Sequence, residues 1–454
     1  MRKRLRHTRI RLSSKRLWKR RLVFWSGALA VGGIAALFAL LAEQAEHLFR
    51  EIIAISPYLP LILTPTALVT ISLATQRYFP NAQGSGIPQT VAAIELASHE
   101  ARKKLLSFRI AIGKVLMSLL GLLFGASIGR EGPTVHIGAS ILFSLENYAH
   151  FPRHDLDRGL ILAGGAAGIA AAFNTPLAGI VFAIEELSRS FEERSSGTML
   201  TAVLISGIVA LAIMGEYSYF GTSSTSLPLD LNGLSIILCC GLLGGAIGGI
   251  FASGLIHGSR RVAPLVRIHP ILIPALCGLA LATIGLLSNN TTYGTGYQEA
   301  QSIIHGEGEI DLLYPFLKMA ATFSSLLSGI PGGIFAPSLA AGAGLGAGFA
   351  QWFPPELLAA TVLLGMVGYF SGVVQTPITA FVIVMEMTDN QQMLLPLMAT
   401  AFIAYGTSKI FCPKPIYRAL AEGFLPNNTP PKKPIPTDQS TPKNTSERAP
   451  KNES

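Results

Sequence analysis

Gly129-Arg130-Glu131-Gly132-Pro133 sets a charged pair between glycines and a proline, inside a sequence that is otherwise strongly apolar on both sides. The run Val115 to Ile128 leads in, and a helix-compatible run from Thr134 to Leu145 leads out. An acidic side chain at the middle of a bilayer costs about 2.5–3.5 kcal/mol, so a carboxylate kept there reads first as a working group. The flanking residues say what work. Glycine frees the backbone, and proline suits the first turn of a helix because its missing N–H would have had no partner there. A helix start presents free N–H groups and the positive end of the helix dipole, which together attract an anion. A tethered carboxylate beside such a site competes with the anion for it.

The surrounding composition makes this a membrane setting. Of 454 residues, 50% are hydrophobic and only 13% charged, with a mean hydropathy of +0.47; a soluble chain carries about a quarter charged residues. Apolar runs appear at Leu22–Leu41, Leu59–Leu73, Leu105–Phe124, Leu234–Leu255 and Ile271–Leu287, and runs of this kind span bilayers. The net charge of +9 does not point to nucleic acid. Residues 1–21 hold eleven Lys and Arg and no acid, leaving 24 basic against 26 acidic residues in the remainder. A basic cluster before a first span is a cytoplasmic anchor that sets orientation and touches anionic lipid. The N-terminus is therefore expected in the cytoplasm; the C-terminus is expected there too, with the protein in the cell inner (plasma) membrane. No cleavable signal is expected, because Leu22–Leu41 is too long for one. Residues 425–454 are rich in Pro, Lys, Asn, Thr and Ser, a composition that cannot bury enough apolar surface to fold. The four cysteines, Cys239, Cys240, Cys277 and Cys412, lack C-x-x-C spacing and read as small hydrophobes. No cofactor, metal site or enzymatic chemistry is expected.

Along the chain, the loop Asn81 to Pro88 falls near the cytoplasmic face and opens a short helix over Gln89–Ala97; Arg102-Lys103-Lys104 then mark a second cytoplasmic loop. Gly159–Phe173 and Pro176–Ser190 are short apolar segments broken by glycine and proline, the sign of a transporter built with discontinuous helices. Such proteins carry internal repeats, and one is present. Asn174-Thr175-Pro176, with Glu185 closing the segment, recurs 201 residues later as Gln375-Thr376-Pro377 with Glu386. Gly129-Arg130-Glu131-Gly132-Pro133 recurs at an offset of 204 as Gly333-Ile334-Phe335-Ala336-Pro337. Several matches in one order at nearly one offset define two related halves, about 22–215 and 232–424. The expected fold is an all-α polytopic membrane protein of two inverted-topology repeats with tilted and broken helices.

Three loops share a glycine-flanked form that ends in proline and opens a helix, at Gly84–Pro88, Gly129–Pro133 and Gly333–Pro337. One helix end contributes about 0.3–1 kcal/mol to an anion, up to roughly 2 when partly buried. That is too little to offset dehydration of chloride, whereas several converging ends with added hydroxyl donors hold an anion without a full counter-charge, so it can also leave. Ser85 is the hydroxyl expected in the first loop.

Gly84-Ser85-Gly86-Ile87-Pro88, Gly129-Arg130-Glu131-Gly132-Pro133 and Gly333-Ile334-Phe335-Ala336-Pro337 together resemble the three signature motifs of the CLC family of chloride channels and chloride/proton exchangers. The resemblance extends to Ala171–Glu186, Glu386–Asn390 and Lys414-Pro415-Ile416-Tyr417. It implies a homodimer in the lipid bilayer with a separate anion pathway in each subunit, and chloride and protons as substrates. It also implies that Ser85 and Tyr417 give hydroxyls, and Ile334 and Phe335 backbone amides, to a central anion. Gly129, Arg130, Gly132 and Ala336 fall in the anion-binding motifs. Glu131 matches the external gating glutamate that also carries protons, and Glu186, the second acid of Ala183-Ile184-Glu185-Glu186, matches the internal proton-transfer glutamate of the exchangers. Channels of the family usually lack an acid there, so Glu186 favours a chloride/proton antiporter. Two departures stand out: Gln89 occupies a position where many relatives have Glu, and the paired nucleotide-binding modules of eukaryotic members are not in the sequence.

Other readings remain open at this stage. A passive voltage- or pH-gated chloride channel is the alternative within the family. An intramembrane hydrolase with Ser85 as nucleophile would need a base, and no G-x-S-x-G elbow is present; a cation transporter using Glu131 and Glu186 would face helix N-termini that repel cations. Glu131 pairing with Arg130, Tyr417 as an interfacial-belt residue and Ser85 bonding its own loop are the structural alternatives. Glu185 reads best as a solvated helix end beside Arg189 and Arg194, and His136 as structural.

Overall fold

A chain that lies in hydrocarbon must satisfy its backbone groups internally, which leaves helices as its spanning elements and confines irregular backbone to the protein interior. The computed structural model describes residues 15–145, 148, 156–188, 193–215, 220–228, 230–307 and 311–426. The start of the basic run and nearly all of the polar C-terminal tail lie outside them.

In the first half, α1 (Lys15–Ile55) and α2 (Pro60–Tyr78) precede the short α3 (Ile87–Glu95) and α4 (His99–Lys103). Then come α5 (Phe108–Leu123), α6 (Glu131–Ser144) and α7 (Leu156–Phe173), followed by α8 (Pro176–Phe182), which runs on as a π-helical turn over Ala183–Ser188, and by α9 (Glu193–Met214). The second half holds α10 (Leu231–Ile268), α11 (Leu272–Leu287), α12 (Tyr297–His305), α13 (Tyr314–Leu327), α14 (Phe335–Ala350), α15 (Leu358–Val374), α16 (Pro377–Met387), α17 (Leu394–Phe411) and α18 (Ile416–Ala421). Six helices among the described residues are long and apolar enough to cross a membrane.

Boundaries differ from the sequence reading for identifiable reasons. α1 begins at Lys15, inside the basic run taken as a tail ending at residue 21, because Lys and Arg are good helix formers whose long stems let the charged ends reach water. Its 41 residues extend about 60 Å against a hydrocarbon core of about 30 Å, so it tilts or projects. The expected span Leu105–Phe124 starts later, at Phe108, where the Ser107 side chain caps the helix by accepting from the Ile110 N–H. Among the cysteines, Cys240 and Cys412 are buried and Cys239 and Cys277 partly exposed, all four as free thiols.

Packing follows the logic of a solvent as apolar as the side chains. On α10 the leucines Leu234, Leu238 and Leu242 are about half exposed, while Gly244, Gly245, Gly248 and Gly249 are buried. A Cβ at Gly244 or Gly248 would strike the backbone of α15 at Gly368 to Val373; one at Gly245 or Gly249 would strike Ala404 or Ser408 of α17. Small residues thus let backbones approach and gain dispersion contacts, which replace the hydrophobic drive that lipid does not supply.

Recurring contacts are consistent with the repeat. A Cβ on Gly138 of α6 would collide with Gly164 of α7, and one on Gly342 of α14 with Met366 and the Gly365 carbonyl of α15; the two crossings sit at offsets of 204 and 201. The equivalent helices α8 and α16 touch each other reciprocally. Glu185, just past α8, accepts from the N–H groups of Ile378 (3.1 Å) and Thr379 (2.7 Å) and from the Thr379 hydroxyl (2.8 Å) at the start of α16. Glu386, near the end of α16, accepts from Leu177 (3.1 Å) and Ala178 (2.7 Å) at the start of α8. Each helix end caps the other's beginning, so the two equivalent helices run in opposite directions. This corrects the reading of Glu185 as a solvated helix end: its carboxylate satisfies first-turn N–H groups that have no partner within their own helix.

Because both caps hold one crossing, Glu185→Ala and Glu386→Ala should each lower stability by about 1–3 kcal/mol, and the double variant should lose less than the sum of the two. Thermal unfolding in detergent measures this, and strictly additive losses would show that the caps act independently.

Candidate functional site

The three glycine loops interrupt helices, and their backbones pair with one another. Gly129 N–H donates to the Gly333 carbonyl and Gly333 N–H to the Gly129 carbonyl, both at 2.7 Å. Gly84 N–H donates to Ile330 O at 3.1 Å, and Gly332 N–H to Gly84 O at 3.2 Å. The loops from both halves are thereby drawn to one place, and the first turns of α3, α6 and α14 start from it.

Glu131 opens α6 and is fully buried, as is Phe335, which opens α14. The Glu131 carboxylate lies over Gly129, where a Cβ would collide with Oε2, and the backbone amides of Glu131 itself and Ala336 act on it. It makes no ion pair among the described residues. Arg130 donates Nη1 to the Ala39 carbonyl of α1 at 2.8 Å, and its charge acts on the Glu131 carboxylate as well. The Glu131 carboxyl group is thus a tethered acid at a helix start.

Gly132 makes room for Ser85, whose Oγ would meet a Cβ placed there. Ser85 Oγ and Tyr417 Oη face one another, and neither is taken up by its own loop or helix. Tyr417 is 1% exposed, which removes the interfacial-belt reading. Its ring stacks on Phe335, with centroids 6.0 Å apart and planes at 21°, and Phe370, Phe182 and Phe173 close around Phe335 at 4.8, 5.9 and 6.1 Å. Ile334 is the N-cap of α14 and buried, next to the amides of Phe335 and Ala336.

Glu186 is fully buried and sits in the π-helical turn. A π turn adds a residue to the helical cycle and often marks a functional position; here it lets adjacent acids go separate ways, Glu185 to α16 and Glu186 inward. The charges of Glu186 and Glu131 both act on the Tyr417 hydroxyl. The structure therefore brings Ser85, Glu131, Phe335, Ala336 and Tyr417 to one centre and sets Glu186 within electrostatic reach of it, while Arg130 supports the loop from behind.

The sequence reading passed over Lys114, which is fully buried on α5 and donates to the Gly84 carbonyl at 3.0 Å. A lone cation in the apolar run of α5 was the signal available. It fixes the outer edge of the Ser85 loop. His136 donates Nε2–H to the Leu105 carbonyl at 2.8 Å, a structural role as expected. The aromatic shell had no signal, since Phe173, Phe182 and Phe370 look like any apolar helix residue.

Tyr417 is positioned from the polar side of the protein. Glu422, just after α18, accepts from Lys414 Nζ at 2.7 Å and from Arg260 of α10 at 2.8 Å, and Arg418 lies 3.6 Å from Glu95 at the end of α3. The helices carrying Ser85 and Tyr417 are so tied to each other and to α10. The hydrogen bond from Lys414 is the main influence holding the Glu422 carboxyl below the usual carboxylate range, with the Lys414 and Arg260 charges adding to it.

Residues 67–409 match the family model described as voltage gated chloride channel. The "H(+)/Cl(-) exchange transporter ClcA" of Yersinia pestis bv. Antiqua (strain Angola) is 33% identical over 384 residues, covering 80% of this chain and 77% of that protein. The crystal structure of a slow cyanobacterial Cl-/H+ antiporter is similar with a TM-score of 0.75 at 26% identity, over 88% of this chain and 97% of that one. A CLC-type fluoride/proton antiporter is similar with a TM-score of 0.74 at 25% identity, over 88% and 96%.

A depressed carboxyl contributes stability above its unfolded pKa and loses it as pH falls through the folded one. Glu422→Gln should therefore lower the melting temperature at pH 7, and the loss should shrink as pH falls through the acidic range and wild-type Glu422 takes up its proton. A loss of the same size at both values would show that the cluster acts by shape and not by charge.

Proposed function

The chain belongs to the voltage-gated chloride channel family, and from that premise we propose that this multi-pass membrane protein is a secondary active antiporter exchanging chloride for protons, with Glu131 and Glu186 as its two proton-carrying groups. What supports this most is the pair of fully buried carboxylates whose charges both act on one tyrosine hydroxyl, which in turn faces Ser85.

In this reading chloride is held between the Ser85 and Tyr417 hydroxyls, with the Ile334 and Phe335 amides completing the shell. Gly129, Arg130, Gly132 and Ala336 form the outer part of the path. An anion in the path and the Glu131 carboxylate repel, so each excludes the other from the outer position over Gly129. With the path filled, Glu131 is neutral and stands aside; as the anion leaves, the carboxylate takes its place and the proton goes on. A proton that only returned to the outside would give a gated channel. Glu186, on the far side of Tyr417, supplies the second acid that carries it to the cytoplasm, and hence exchange. A serine hydrolase is disfavoured on the same ground, since Ser85 faces a tyrosine hydroxyl rather than a base. The protein works in the inner (plasma) membrane as a homodimer, one pathway per subunit, with both termini cytoplasmic.

The fluoride/proton antiporter among the similar structures makes the anion a question that flux can answer. Purified protein in liposomes under a chloride gradient, with no imposed proton gradient, should move protons uphill. Glu131→Gln and Glu186→Gln should each abolish that movement while chloride flux survives at least in part. Chloride flux without proton movement in the wild type would make the protein a channel, and proton movement driven by fluoride but not by chloride would replace the anion.

A further inference from the structure

The corner where α10 turns into α11 carries a charge pattern that the transport site does not use. From Leu231 to Gln298 the chain has no Asp or Glu, and the three arginines of that stretch, Arg260, Arg261 and Arg267, all fall near the end of α10. A purely basic corner between two apolar helices belongs on the cytoplasmic side.

The three arginines are not equivalent. Arg260 is engaged by the protein, donating to Glu422 at 2.8 Å and to the Ala419 carbonyl at 3.3 Å. Arg261 and Arg267 are exposed, and neither makes a hydrogen bond or ion pair among the described residues. A cation in the last turn of a helix answers the negative end of the helix dipole, but that influence fades within a turn. Arg261 lies about two turns before the end of α10, and the Leu265 carbonyl in the last turn is already taken by the His269 N–H at 2.7 Å.

The side chains beside the two arginines are apolar and equally uncovered. Leu265 and Ile268 follow Arg261 at i+4 and i+7, which puts the three on one face of α10, and they are 42% and 66% exposed. On α11 the stripe continues with Leu272, Leu276 and Leu279, each about half exposed. The face that carries Val266 is packed instead: Val266 is buried, and a Cβ on Gly329 would come within 3.3 Å of its Cγ1. The outward face thus sets two unpaired cations, about 9 Å apart along the helix, at the edge of a leucine and isoleucine wall.

An occupant that fits this surface has a negative headgroup and apolar chains. The C-terminal tail does not fit, since residues 425–454 hold five Lys and Arg against three Asp and Glu and so repel the corner. An anionic phospholipid matches both parts. Its phosphate accepts from guanidinium donors, its chains lie on the apolar wall, and arginines beside an anionic leaflet are drawn to it.

We propose that the α10–α11 corner is a binding site for an anionic phospholipid, with the phosphate between Arg261 and Arg267 and the acyl chains against Leu265, Ile268 and the outward leucines of α11. The site is separate from the basic run at residues 1–21, which touches anionic lipid by charge alone; here charge and an apolar wall act together on one molecule.

Native mass spectrometry of the full chain in detergent, with phosphatidylglycerol or phosphatidylcholine added, reads the bound lipid directly. Wild type should retain phosphatidylglycerol in preference to phosphatidylcholine. Arg261→Gln/Arg267→Gln should weaken that retention about thirtyfold, the effect of two charges beside an anionic headgroup. Neither arginine has a partner in the protein, so glutamine at these positions leaves the fold in place. A variant with every Lys and Arg before residue 15 changed to Gln should keep the lipid. Equal retention by wild type and the Arg261→Gln/Arg267→Gln protein would overturn the site, and loss on neutralising the N-terminal run alone would move the lipid there. Displacement of phosphatidylglycerol by added inorganic phosphate would overturn the lipid as occupant, because a free anion would then suffice.

Discussion

The two-way hydrogen bond between Gly129 and Gly333, 2.7 Å in each direction, is the constraint on which the rest of this structure depends. Interrupting a helix within the membrane exposes N–H and C=O groups that lipid cannot satisfy. Here one interruption from each half satisfies the other. The pairing needs glycine, because a Cβ at Gly333 would sit 3.0 Å from Gly129 O and 3.1 Å from Gly132 N. Once the interruptions are locked together, the starts of α6 and α14 are fixed beside one another, and the proposed anion path draws on the N–H groups left over there. Held by helix starts and hydroxyls without a full counter-charge, an anion in such a path can also leave.

Much of this was legible in the sequence because broken helices leave a chemical trace. Glycine and proline in apolar runs, with charge beside them in one case, announced the three loops, and the offsets of 201 and 204 pointed to the repeat. Glu131 and Tyr417 both proved buried. Contacts that join distant elements were not legible. The offset that related Glu185 to Glu386 gave no hint that each would cap the other's helix, since that depends on α8 and α16 crossing head to tail. The π-helical turn at Ala183–Ser188 has no local signature, yet it separates the roles of two adjacent glutamates. Lys114 and Lys318 were readable as isolated buried cations and as a pair at the repeat offset; searching the repeat with motifs of glycine and proline alone passed them over.

The two halves show what divergence of a repeat does to chemistry. Both keep a glycine loop, Gly84-Ser85-Gly86 or Gly294-Thr295-Gly296, with a buried lysine, Lys114 or Lys318, on its carbonyls, because those parts satisfy backbone and fix the fold. What varies is the group facing the helix start. In the Ser85 loop no carboxylate among the described residues takes up the hydroxyl, and Tyr417 faces it from α18, whose far end is tied down by the Lys414, Arg260 and Glu422 cluster. In the Thr295 loop a carboxylate from α1 takes up both the amide and the hydroxyl.

Glu46 and Glu131 differ in what holds them. Glu46 receives a backbone amide at 2.7 Å and a hydroxyl at 3.3 Å from a loop far away in sequence, so its departure would leave two donors without an acceptor. Glu131 lies over Gly129 at the start of its own helix, with the Arg130 charge and the amides of Glu131 and Ala336 acting on it. Similar backbone chemistry therefore meets a carboxylate in each half, one brought in from α1 and the other carried by the helix start itself.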